Sequence, residues 1–189
     1  MPAPVVLDVD DAEVVERYLA AMHAAGRRTG RSITQTARTC QAKISRAGGW
    51  GELTRAAQID AVNKARSFTS WLMVTGQITV DAELLGDIGL RLGIAGRAFL
   101  ADDYRWFSGI CCRLGTSDAD LASQWNILVK IAAITGARLQ AVTDDHFLTA
   151  RTALTADHVR RGRPSAARII SAHFHRLQLT LFQAGRITT

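Results

Sequence analysis

The chain predicts an all-α protein, an orthogonal helical bundle, and three observations carry that reading. Apolar residues recur at helical spacing in segment after segment, capping residues and glycines bracket those segments, and no stretch alternates as a half-buried strand does. At 189 residues, 48% hydrophobic and 21% charged, the chain is long enough to bury a core and too apolar for disorder. Its formal charge of +6 favours an anionic partner, nucleic acid first. All basic residues except Lys43, Lys64 and Lys130 are Arg. Arg suits bidentate phosphate and guanine contacts, although a GC-rich genome gives the same bias.

After a short extended lead, Asp10 reads as an N-cap with Glu13 at the capping-box position, and Gly26 ends the first helix. Val14, Val15, Tyr18, Leu19, Met22 and Ala25 give that helix one apolar face. The segment Gly26 to Trp50 then carries Arg27, Arg28, Arg31, Arg38, Lys43 and Arg46 with no acidic residue between them. A helix capped by Ser32 or Thr34 and ended by Gly48 and Gly49 buries Ile33, Ala37, Cys40, Ile44 and Ala47. It then presents Gln35, Arg38, Thr39, Ala42 and Arg46 as a thin basic ridge. Such a ridge suits phosphates and base edges in a DNA groove. Trp50 and Leu53 read as core anchors. Thr54 caps a further helical stretch with Ala61, Ala65, Phe68 and Leu72 buried and Gly76 as its stop.

Asp81 starts a short helix, after which Gly86, Gly89, Gly93 and Gly96 either break the chain into short helices or allow close packing. Phe99, Tyr104, Trp106, Phe107, Ile110 and Leu114 supply aromatic and aliphatic bulk up to Gly115. Ser117 caps the clearest helix of the second half and Gly136 ends it. Leu121, Trp125, Leu128, Ile131 and Ala132 face inward there, and Ser123, Asn126 and Lys130 outward. Thr143 opens another helix to about His158. Arg160, Arg161 and Arg163 follow in a loop, and Pro164 suits the first turn of the last helix. That helix carries Ala166, Ile170, Phe174, Leu177 and Leu181 on one side and Leu179 and Phe182 on another, so it packs centrally or meets a partner. The divisions expected are 1–76, 77–116 and 117–189. A weak echo links Lys43-Ile44, a loop and Leu53 to Lys130-Ile131, a loop and Leu139, as in a duplicated helical unit.

Residues for catalysis are not assembled. His173 and His175 are two apart, and His23, His146 and His158 are scattered, so no metal site is expected. Cys111-Cys112 reads as a pair of buried, inert thiols, and with Cys40 forms no disulfide framework. Asp102-Asp103 and Asp144-Asp145 lie where helix N-termini attract acids. No cofactor loop is present: the glycines from Gly86 to Gly96 lack a preceding strand. The acidic N-terminus does not read as a secretory signal, and the apolar run Ile127 to Ile134 is too short for a membrane span. A cytoplasmic protein is the expectation.

The segment Thr36-Ala37-Arg38-Thr39-Cys40, with Ile44, Ala47 and Trp50, resembles the start of the core-binding, SAM-like domain of tyrosine recombinases, the phage-type integrases. That pattern reads T-x-R-x-Y followed by Leu, Phe and Trp; here Cys40 stands for Tyr and Ala47 for Phe. The helix ARSFTSWLMVTGQI and the closing LQLTLFQAGRITT are similar to later helices of that domain, and the layout is most like integrase-like proteins of high-GC actinobacteria. Two SAM-like units in tandem would stand here where that family has one, and the resemblance implies a DNA-gripping region without catalytic residues of its own. The family's catalytic Arg, His and nucleophilic Tyr have no counterpart here, so strand cleavage would belong to a segment beyond Thr189 or to no part of this protein. Double-stranded DNA is the expected partner, with a homo-oligomer on DNA as an option and no membrane. Gln35, Arg38 and Thr39 would lie nearest the bases and Arg27, Arg28, Arg31 and Arg46 on phosphates, with Lys43 also on the DNA-binding surface. Arg160, Arg161, Arg163 and Arg168 would make a second backbone contact. Two other readings remain open: a helical protein-interaction module docking through the last helix, and a small-molecule regulator using Trp106, Phe107 and Trp125.

Overall fold

The computed structural model describes residues 9–89 and 92–187, all helix, turn or loop, with no strand among them. The chain packs as two compact units, Met1–Trp71 and Leu72–Thr189. Among the described residues no helix is long and apolar enough to cross a membrane.

The first unit holds α1 (Val9–Ala24), α2 (Arg31–Arg46), a 3₁₀ turn (Trp50–Glu52), α3 (Arg55–Lys64) and the start of α4 (Arg66–Val74). Helix α1 already includes Asp10, which sits in its first turn instead of capping it. Gly26 adopts the left-handed conformation that a helix end needs, and its N–H bonds back to the His23 carbonyl. Helix α2 starts earlier than a cap at Ser32 or Thr34 would place it: Gly30 is the N-cap and no side chain caps the helix. Thr54 caps α3 as expected, accepting from the Ala57 N–H at 3.3 Å. The expected continuous helix from there to Gly76 is interrupted at Ala65, whose backbone leaves helical geometry and divides α3 from α4.

Burial follows the periodicity. Val15, Tyr18 and Met22 of α1 meet a core that includes Ala37, Cys40, Ile44, Trp50, Ala61, Val62 and Phe68. The Tyr18 ring lies edge-on to Phe68, with centroids 5.1 Å apart, and 5.5 Å from Trp71. Burial pushes the Tyr18 hydroxyl pKa up, so it stays a neutral core group and no nucleophile.

A buried polar tie joins α1 to α2. Gln41 Nε2 donates to Asp11 Oδ1 at 2.8 Å, the Ser45 hydroxyl donates to the same oxygen, and Asp11 is only 8% exposed. Asp11→Ala is expected to cost about 1–2 kcal/mol in a urea titration. The loss stays modest because Gln41 keeps a 3.3 Å contact with Ser45. Unchanged stability would show that this tie is not formed in solution.

The second unit contains α5 (Ala82–Ile88), α6 (Leu92–Phe99), α7 (Ala101–Arg113), α8 (Asp118–Thr135), a 3₁₀ turn (Leu139–Ala141), α9 (Asp144–Arg160) and α10 (Pro164–Gln183). Helix α8 is its centre, with Trp125, Leu128 and Ile131 completely buried. Ser117 caps it and left-handed Gly136 ends it. Asn126 and Lys130, expected to face outward, are half-buried: α6 packs on this side of α8, and Asn126 Oδ1 accepts from the Gly93 N–H at 3.1 Å. Helices α9 and α10 form a hairpin through left-handed Gly162, with Phe147 edge-on to Phe174. Thr143 and His146 make the capping box of α9. Pro164 stands in the first turn of α10, whose buried face is Ala167, Ile170, Phe174, Leu177 and Leu181. Leu179 and Phe182 are exposed. The element order helix, helix, 3₁₀ turn, helix, helix occurs twice, from α1 to α4 and from α7 to α10.

Candidate nucleic-acid interface

Helix α2 has the composition of a surface that meets anions. Its first turn holds no acid, its N-terminus has no side-chain cap, and its last turn carries Lys43 and Arg46. Both the helix dipole and the free N–H groups at the start favour negative charge there. Arg28, in the loop before the helix, and Arg31, Arg38 and Arg46 on it are exposed, and among the described residues none has a carboxylate partner. Arg27 is exposed too, and its charge is felt by the Tyr18 hydroxyl. Arg31 and Arg38 are seven residues apart and share a face, and at 1.5 Å per residue the row to Arg46 spans about 22 Å.

The expected ridge is only partly realised. Ala42 is 5% exposed, not on the surface, because residues 40–42 and Ile44 are enclosed nearly all round. The arginines therefore flank a closed patch in place of an unbroken crest. Gln35 and Thr39, expected to read bases, line a cleft beside α3; the Thr39 hydroxyl donates to the Gln35 carbonyl at 2.9 Å. Lys43 is held by Asp60 at 3.0 Å, and Lys64 binds the other oxygen of Asp60 at 2.9 Å. These hydrogen bonds, from Lys64 first and then Lys43, hold the Asp60 carboxyl below its usual pKa.

The second basic cluster separates into two pairs. Arg160 binds Asp157 at 2.7 Å and Glu83 at 3.2 Å. Arg161 binds Asp157 at 2.8 Å and Asp87 at 2.6 Å, and also donates to the Glu83 carbonyl. Both guanidiniums are thus committed to tying α9 to α5. Arg163 and Arg168 are exposed and have no carboxylate partner among the described residues.

Among the described residues there is no cluster of three metal-ligating side chains. Burial pushes the Cys40 thiol up to about 11 and raises Cys111 as well, so both are protonated at neutral pH. Cys112, expected to be buried with its neighbour, is exposed. Phe107 and Trp125 are completely buried with ring centroids 5.9 Å apart, so this part of the aromatic cluster is packed core.

Asp60, Lys64, Ser32 and Thr36 are the polar groups around the α2–α3 cleft that sequence reasoning misses. The i,i+4 spacing of Asp60 and Lys64 is a visible signal of their pair, but nothing local ties them to Lys43. No family model matches the chain, and neither a curated protein nor a solved structure with significant similarity was found.

Proposed function

We propose that the first unit grips duplex DNA through its phosphate backbone, with α2 as the contacting element and no catalysis of its own. The observation that carries this reading is the set Arg28, Arg31, Arg38 and Arg46, exposed on one helix and its lead-in without a carboxylate among the described residues. Exposed arginines in proteins without an anionic partner are usually interspersed with acids, whereas residues 26–50 contain none. The likeness of residues 36–50 to the recombinase core-binding pattern supports the same helix as the DNA-facing one. It gives the proposal a specific form, the DNA-grasping part of an integrase-type protein. Backbone contacts dominate in this reading, because Gln35 and Thr39 turn toward the α3 cleft. Little sequence discrimination is then expected from this unit.

A salt titration tests it. With about four phosphates neutralised, log K for a random-sequence duplex should fall against log salt with a slope of about −3 to −4. Arg38→Ala should reduce the slope by about 1. Reversing the charge of Arg38 together with Arg46 should abolish binding at physiological salt while leaving helicity unchanged. Affinity indifferent to salt, or undetectable at low salt, overturns the proposal.

A further inference from the structure

We propose that the cleft between α2 and α3 is a binding site for a small organic monocarboxylate with a compact apolar body. The inference stands apart from the DNA reading, since it concerns residues that the arginine row does not use.

The cleft exists because its facing side chains are small. Cys40 on α2 looks across to Ala61 on α3 and to Ala65 at the break that follows, and the space left is an open cleft of about 430 Å³. That lies within the range of small-molecule sites and is far more than a few waters require. All three floor residues are buried, with exposures of 6%, 3% and 4%. The protonated Cys40 thiol adds soft, apolar surface and no nucleophile. An occupant therefore presents apolar atoms to this floor.

Polar groups gather around the rim. Ser32, Gln35, Thr36 and Thr39 are neutral, so the charge is set by Lys43, Lys64 and Asp60. Asp60 is held ionised by its two lysines, which leaves the cleft one positive charge in excess. Each ammonium has three donors; Lys43 also donates to the Ala57 carbonyl at 3.5 Å, so it retains one N–H and Lys64 two for an incoming acceptor. A carboxylate matches the single surplus charge. A phosphate monoester, at about −1.5 to −2, exceeds it and sets its second charge against Asp60. A neutral ligand leaves the surplus unused.

The test uses the full chain and 4-fluorobenzoate, read by ¹⁹F line broadening and by amide shifts of ¹⁵N-labelled protein. The expected result is broadening at millimolar ligand, with shifted amides grouped at Thr36, Cys40 and Ala61. 4-Fluorobenzyl alcohol should bind at least about tenfold more weakly, and inorganic phosphate should not displace the benzoate. Lys64 is 75% exposed in its side chain, so Lys64→Glu keeps the fold while turning the cleft from net positive to net negative. It should weaken binding at least about tenfold, whereas Arg151→Glu in the second unit should leave it unchanged. Absence of broadening, shifts elsewhere in the chain, displacement by phosphate, or indifference to Lys64→Glu would each overturn the proposal.

Discussion

Gly93→Ala is expected to lower the stability of the second unit by about 2–4 kcal/mol. A Cβ at this position would lie 3.0 Å from the Asn126 Cβ and 3.1 Å from its Cα, and backbone of the central helix does not yield as a side-chain tip does. The methyl must push α6 away from α8, which costs about 1–3 kcal/mol as overpacking. The same separation stretches two hydrogen bonds, from the Trp125 indole N–H to the Gly93 carbonyl at 2.9 Å and from the Gly93 N–H to Asn126. Trp125 is completely buried, so its donor has no water to turn to. Better helix propensity returns at most about 1 kcal/mol. Gly109→Ala makes the contrast: its Cβ would meet only the Arg113 Nη1, at 3.8 Å, within α7. That change should stabilise the protein by about 0.4–1 kcal/mol. Urea unfolding of the two variants, with tryptophan fluorescence as the probe, decides the matter. Equal effects of the same sign would show that α6 does not approach α8 as closely as described.

These glycines also mark where the sequence stops being readable. Gly86, Gly89, Gly93 and Gly96 recur at intervals of three or four, and that spacing fits either breaks or close contacts. Gly89 is a break, a left-handed C-cap with φ of 56°. Gly93 and Gly96 are contacts, and what makes them so is Trp125, Asn126 and Val129, some thirty residues away. The local signals that can be read at once are those whose partners are near in sequence: Ser117 and Gly136 bracketing α8, Thr54 capping α3, Thr143 with His146 opening α9. The basic run on α2 is legible for the same reason, because a lack of acids between Gly26 and Trp50 is a local fact. Whether a given cation is free is not local. Lys43 is matched by Asp60, and Arg160 and Arg161, besides the nearby Asp157, by Glu83 and Asp87 more than seventy residues earlier, so equal charge in the sequence becomes unequal availability in the fold.

Removing the carboxylate at Asp157 is expected to destabilise the protein by about 2 kcal/mol at pH 6. That is less than the loss of an enclosed ion pair, because the Arg160 side chain is half exposed and water screens it. Asp157 itself is 6% exposed in its side chain and is the hub of the clamp, receiving Arg160 and Arg161 while Arg161 reaches on to Asp87 and Glu83. The clamp closes tightly over α5: a Cβ on Gly86 would lie 2.6 Å from Asp157 Oδ2 and 2.7 Å from Arg161 Nε. Burial opposes ionisation of Asp157, but the hydrogen bonds from Arg161 and Arg160 outweigh it and hold the carboxyl below its usual pKa. A depressed pKa contributes stability above the unfolded-state value of about 3.9 and loses it as pH falls through the folded value. The gap between wild type and Asp157→Ala should therefore be constant from pH 6 to about pH 5 and close as the pH falls below about 4. A gap that persists unchanged at pH 3, measured by urea titration, would rule out the ionic account. Under the DNA-binding proposal, the clamp also sets Arg161 apart from the α2 arginines. Arg161→Ala should lower stability and leave the salt slope of DNA binding as it was, because that guanidinium is already committed. Arg31→Ala should do the reverse, reducing the slope by about 1 with unfolding unchanged, since nothing in the described structure depends on its charge.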